Sequence, residues 1–115
     1  MRRLWLFLVA GWLLIAAVTL SALLSQGLVS GIETFLSDLR HPWRAQFYAD
    51  LELQLLIFAA WVVWREASLT RGLAFAAATM LLGALFTLAY LLAASVKAKG
   101  DVRALLLGSR AHEVS

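Results

Sequence analysis

At 115 residues, with 63% hydrophobic and 15% charged side chains, the chain is too small and too apolar to hide its surface as a soluble globule. An ordinary soluble enzyme, a disordered tail and a disulfide scaffold are excluded, the last because cysteine is absent. The net charge of +3 includes ten Lys and Arg residues that stand almost wholly outside the apolar segments, where lipid head groups rather than nucleic acid are the expected counterpart.

Leu4 to Leu24 is an uncharged run of 21 residues. A helix needs about 20 to cross a hydrocarbon core. Met1-Arg2-Arg3 resembles the start of a signal peptide. The apolar run, however, exceeds the roughly 7–15 residues usual there, and Ser25-Gln26-Gly27 is a poor cleavage exit. An uncleaved first span over 4–24 is expected. In residues 28–39, Leu28, Ile32, Phe35, Leu36 and Leu39 follow helical spacing, with Ser30, Glu33, Ser37 and Asp38 largely elsewhere on the wheel. This pattern predicts a short amphipathic helix in the membrane interface.

Pro42 suits the first turn of the next helix, where its missing N–H is not needed. The second span is expected over 45–64. Its first half carries Gln46, Asp50, Glu52 and Gln54, and its second half, Leu55 to Trp64, has no strongly polar side chain. Trp5, Trp43, Trp61 and Trp64 are placed as interface anchors. Arg65-Glu66 ends this span, and Ser68 is placed to cap the following helix. Leu73 to Val96 is uncharged for 24 residues and reads as a third span, stopped by Lys97, Lys99 and Gly100. The polar tail, 97–115, has an apolar patch at Val102, Leu105, Leu106 and Leu107, expected to form one or two interfacial turns and then fray. Strand-like alternation is lacking, which excludes a membrane β-barrel.

The expected fold is therefore an all-α membrane protein, a single membrane domain over 1–115. It has three transmembrane helices and a short amphipathic interfacial helix between the first and second. Three spans put Arg2, Arg3, Arg65 and Arg71 on one side and Arg40, Arg44, Lys97, Lys99, Arg103 and Arg110 on the other. The positive-inside count leans to the second set, and the first helix leans to the first. The expectation is a multi-pass protein of a bacterial inner (cytoplasmic) membrane with its N-terminus inside.

Asp50 is the sharpest chemical signal. It lies about six residues, roughly 9 Å, inside its span. A carboxylate at mid-membrane costs about 2.5–3.5 kcal/mol, and less near the interface. Gln46, Asp50 and Gln54 recur every four residues on one helix face. On the third span Thr79, Gly83 and Thr87 form a stripe of small residues that lets two helices approach closely, and Tyr90 extends it. Matching depths across the hairpin predicts hydrogen bonds from Asp50 and Gln54 to Thr87 and Tyr90. Glu52 points about 200° away from Asp50 and is expected to meet the first span, a partner, the head groups, or Arg40 or Arg44. Mostly, such a cluster is structural glue between helices. The functional reading is a proton or cation relay, since ionisable groups inside membranes often mark such paths.

Other signals are weaker. His41 and His112, the only histidines, lie outside the spans. A metal site from His41, Asp38 and Glu33 has no specific spacing, and no catalytic motif, phosphate loop or cofactor signature is present. Trp12, the one mid-span tryptophan, reads as a lipid-facing or helix-packing residue.

Pro42-Trp43, Phe47 and Asp50, Trp64-Arg65-Glu66, Gly83 and Tyr90, and Leu105-Leu106-Leu107-Gly108-Ser109-Arg110 together resemble a small integral membrane protein family with bacterial and plant members, the domain of unknown function fourteen-seventy-five. The resemblance covers most of the chain through short, mostly apolar motifs. It implies about three spans and carries no catalytic residues. The leading functional expectation is a non-enzymatic structural or accessory component that packs in the lipid bilayer with itself, as a homo-oligomer, or with a larger membrane complex. It needs no cofactor, metal or nucleic acid. The rival is an oligomeric transporter of protons, cations or small solutes with Asp50 as the titrating group. A lipid-modifying enzyme is the least favoured.

Overall fold

The computed structural model describes residues 2–111, which are helical with no strand among them. Helix α1 runs Arg2–Asp38, α2 Pro42–Arg65, α3 Leu69–Leu82, α4 Ala84–Lys97 and α5 Val102–Leu107, followed by a 3-10 turn, Gly108–Arg110. Among the described residues, α1 and α2 are the two helices long and apolar enough to cross a membrane.

The residues expected to form a first span and an interfacial helix are two arms of one helix, α1. They meet at Gly27, whose backbone (φ 82°, ψ 169°) leaves the helical region. The short arm is tied to the start of α2. Tyr48 Oη donates to Asp38 Oδ2 at 3.0 Å and Arg44 donates to Oδ1 at 2.9 Å. Phe35 meets the Tyr48 ring edge-on at 4.8 Å. Arg44 thus pairs with Asp38 rather than with Glu52. Pro42 occupies the first turn of α2 as expected.

α2 and α3 form the expected tight hairpin. Ser68 caps α3 by accepting a hydrogen bond from the Arg71 N–H at 3.3 Å. Gly72 is the close-approach residue: a Cβ there would lie 3.1 Å from the Val63 Cα.

The single helix expected over residues 73–96 does not form. Gly83 (φ 59°, ψ −131°) separates α3 from α4, in a conformation that glycine adopts readily and other residues only with strain. α4 then doubles back. Residues 75 and 90 on one straight helix would be about 22 Å apart, yet the Phe75 and Tyr90 rings meet at 5.6 Å. Phe75 also reaches Phe86 at 5.6 Å. Each half-helix has 14 residues, about 21 Å at 1.5 Å per residue, short of a hydrocarbon core of about 30 Å.

α1 packs antiparallel to α4. Trp5 Nε1 donates to Ser95 Oγ and Trp12 Nε1 to the Leu85 carbonyl, both at 2.8 Å. The start of α1, the end of α2, the start of α3, the end of α4 and all of α5 therefore share one end of the molecule. This end holds Arg2, Arg3, Arg65, Arg71, Lys97, Lys99, Arg103 and Arg110, eight of the ten Lys and Arg residues; Arg40 and Arg44 hold the other. The four-against-six division expected from three spans is replaced by eight against two, because the turn at Gly83 brings the tail back.

Candidate functional site

The core lies at the basic end. Val62, Tyr90, Ala94 and Leu105 are buried together, with Leu4, Phe58, Trp61, Phe75, Phe86 and Ala98 packed around them. Tyr90 is its hub. Phe58, Trp61 and Phe75 approach its ring edge-on and Phe86 stacks on it, at centroid distances of 5.6–6.2 Å. Such pairs contribute about 0.5–1.5 kcal/mol each beyond the area they bury.

At the rim of this cluster the Tyr90 hydroxyl donates to Glu66 Oε1 at 2.5 Å and accepts from Arg65 Nη1 at 3.0 Å. Arg65 Nε donates to the Leu105 carbonyl at 2.7 Å, and its guanidinium stands 5.7 Å from the Trp61 ring centroid. The Arg65 and Glu66 side chains are only 11% and 12% exposed, so they form a nearly buried pair, at 3.6 Å, whose remaining polar atoms need partners. Arg71, far more exposed, approaches the other Glu66 oxygen at 3.7 Å.

The tail completes this site. A helix leaves its last carbonyls unpaired, and here Ser109 and Arg110 supply donors to two of them. Ser109 Oγ donates to the Arg65 carbonyl at 2.6 Å, and Arg110 Nε to the Trp64 carbonyl at 2.8 Å. Trp61 Nε1 returns a bond to the Leu106 carbonyl at 2.9 Å. Gly108 lets the chain pass this close, since a Cβ there would lie 2.9 Å from the Arg65 carbonyl oxygen. The turns expected around Val102–Leu107 form as α5, and the fraying expected after them is replaced by docking through residue 110. His112 lies outside the described residues.

The sequence-predicted cluster is divided. Gln46, Asp50 and Gln54 are all exposed, and no hydrogen bond or ion pair from another described residue reaches their side chains. Glu52 and Thr87 are half-buried. Tyr90 takes Arg65 and Glu66 as partners rather than Asp50 and Gln54, because the turn at Gly83 returns it toward the end of α2. Thr79 is fully buried, its hydroxyl donating to the Phe75 carbonyl at 2.9 Å. Of the tryptophans placed as interface anchors, Trp43 is 84% exposed, while Trp5 and Trp61 spend their N–H groups on packing and Trp64 lies 5.3 Å from the Arg110 guanidinium.

No family model, no curated protein and no solved structure matches this chain. Its chemistry must therefore be read from the site alone. Among the described residues no group of three His, Asp or Glu side chains is gathered to hold a metal ion. A cavity of about 330 Å³ is lined by Arg65, Glu66, Arg71, Phe75, Tyr90 and Lys97. Three cations face one carboxylate there, and that carboxylate is already engaged by Tyr90, Arg65 and Arg71. The arrangement offers net positive charge and hydrogen-bond donors. Arg65, Glu66 and Ser109 were missed as site residues because adjacent charges at a span boundary read as a stop signal. The usable clue was Gly83 at the middle of the apolar run: folding the chain there sends Tyr90 back toward Arg65-Glu66.

Proposed function

We propose that this chain is a non-enzymatic membrane component that works by association, with a second copy of itself or with a larger membrane complex. The observation that carries this reading is the uncovered stripe of Gln46, Asp50 and Gln54 on α2. In lipid an unpaired polar face is costly, and Asp50 alone bears up to about 2.5–3.5 kcal/mol depending on its depth. The chain's other helices do not cover it, so a partner's polar or cationic groups would. In this arrangement α1 and α2 span the bilayer, and α3 and α4 enter and leave it from one side as a re-entrant hairpin in place of the third span. The irregular backbone at Gly83 is compatible with such depth because it is half-buried against neighbouring helices. The eight-against-two distribution of Lys and Arg supports a cytoplasmic location for the basic end, with residue 2 and the docked tail both inside.

The test is native mass determination of the full chain in nanodiscs, for wild type and Asp50→Leu. A stoichiometric homo-oligomer or heterocomplex in wild type, lost in Asp50→Leu while helix content is kept, is the expected result. A wild-type chain that is monomeric and without partner overturns the proposal. If the assembly is homomeric, liposome flux measurements on wild type and Asp50→Asn separate packing from transport. Packing gives no flux from either. A pH-dependent flux abolished by Asp50→Asn would assign the stripe to a conduction path.

A further inference from the structure

Among the cavities that Lys97 borders, two differ in character. One is the cation-lined cavity described above, with polar and apolar walls together. The other, about 600 Å³, is an apolar groove between α1 and α4 whose walls are Val9 and Trp12 on one side and Ala89, Leu92, Ala93 and Val96 on the other. Ala93 and Lys97 line both cavities, so the two adjoin at that corner. Trp12 is fixed in the groove wall by its bond to the Leu85 carbonyl. From Lys97 to Ala89 the groove follows eight residues of α4, about 12 Å, close to the roughly 15 Å depth of one leaflet's hydrocarbon. Its volume is that of a ligand site, typically about 300–1,000 Å³.

We propose that this is a binding site for one anionic phospholipid. Its phosphate would sit against Lys97 and Arg71 at the cation-lined cavity, and an acyl chain would lie along the apolar groove. Charge selects the ligand. Arg65, Arg71 and Lys97 outnumber the single carboxylate, Glu66, whose oxygens are occupied from within the protein. Hydrophobicity selects its form, because a free phosphate has nothing to place in a groove of alanine, leucine, valine and tryptophan. A zwitterionic lipid fits the groove but brings its own cation to a cationic mouth. The site does not use the Gln46–Asp50–Gln54 stripe, so it stands or falls independently of the association proposed above.

The experiment reconstitutes the full chain in nanodiscs of equal phosphatidylcholine and phosphatidylglycerol and counts retained lipid by native mass spectrometry. One phosphatidylglycerol per chain is expected, retained in preference to phosphatidylcholine. Lys97→Gln should lower that preference about fivefold, the effect of removing one cation near a membrane surface, and Lys97→Arg should restore it. Ala89→Trp, which fills the groove and leaves every charge in place, should release the lipid. Circular dichroism checks that each variant keeps its helices. If Lys97→Gln does not fold, quenching of wild-type tryptophan fluorescence decides, brominated phosphatidylglycerol being expected to quench more than brominated phosphatidylcholine at equal fraction. Equal retention or equal quenching by the two lipids overturns the proposal. So does an unchanged preference in a folded Lys97→Gln, displacement of the lipid by excess inorganic phosphate, or a second copy of the chain occupying the groove in its place.

Discussion

At its start α2 presents Gln46, Asp50 and Gln54, all exposed. At its end it presents Trp61, Trp64 and Arg65, all tied to the tail. Reading polarity alone, the first half looks like the half with business inside the protein and the second like plain membrane anchor. The structure reverses this. The apolar end builds the core because it can close rings around Tyr90 and because Arg65 brings a charge whose needs are met by Glu66, Tyr90 and the Leu105 carbonyl. The polar end has no complementary groups within reach in its own chain. A polar side chain on a long apolar helix therefore marks a need for a partner without saying that the partner belongs to the same molecule.

The largest expected effect comes from breaking the packed end at its charge. Arg65→Met removes the donor to the Tyr90 hydroxyl oxygen and to the Leu105 carbonyl, and the nearly buried cation beside Glu66, at a cost of about 3 kcal/mol. A lower Tm in detergent, with proteolysis releasing the tail first, is the expected observation. Next is Gly83→Leu, which places a side chain at φ 59° and costs about 1–3 kcal/mol. The hairpin should then open. A cysteine pair, Arg71→Cys with Lys97→Cys, reports this directly because the chain has no other cysteine. A short bifunctional reagent should link the pair in the bent form. In a straight helix the two positions would be about 39 Å apart and unlinked.

Ser109→Ala removes one cap from the end of α2 and should cost about 1 kcal/mol, read as faster hydrogen exchange in residues 102–110 with the remaining helices unchanged. The smallest effect on the isolated chain is expected from Asp50→Asn at the opposite end. Its side chain touches no described partner, so the detergent Tm of the monomer should not move. An Asp50→Asn that destabilises the monomer as much as Arg65→Met would erase the contrast between the two ends.

The long apolar first helix, its separation from a second helical segment starting near residue 28, the proline-led start of α2, the Ser68 cap and the α2–α3 hairpin were all legible in the sequence. Each depends on hydropathy or on residues within a few positions of one another. The tail's apolar patch was visible too, but its docking was not. Gly108, Ser109 and Arg110 are ordinary loop residues until the end of α2 supplies carbonyls to bond. Likewise Thr79, Gly83 and Thr87 satisfied a small-residue pattern, while close approach between α2 and α3 occurs at Gly72 against Val63. Spacing names the residues that permit contact and leaves open which partner comes near.

The sequence by itself determined that this is an all-helical, apolar chain, and of the three long apolar runs it offered as spans the first two form helices of spanning length, because hydrophobicity and helix length are local sums over neighbouring residues. Only the tertiary structure decided that the last long apolar run folds back at Gly83. The same 24 uncharged residues satisfy a straight span and a bent pair equally well in composition. One backbone conformation decides between them, and with it where Lys97 and the tail are carried. That single turn gathers eight of the ten basic residues at one end, places Tyr90 between Arg65 and Glu66, and leaves Asp50 facing outward.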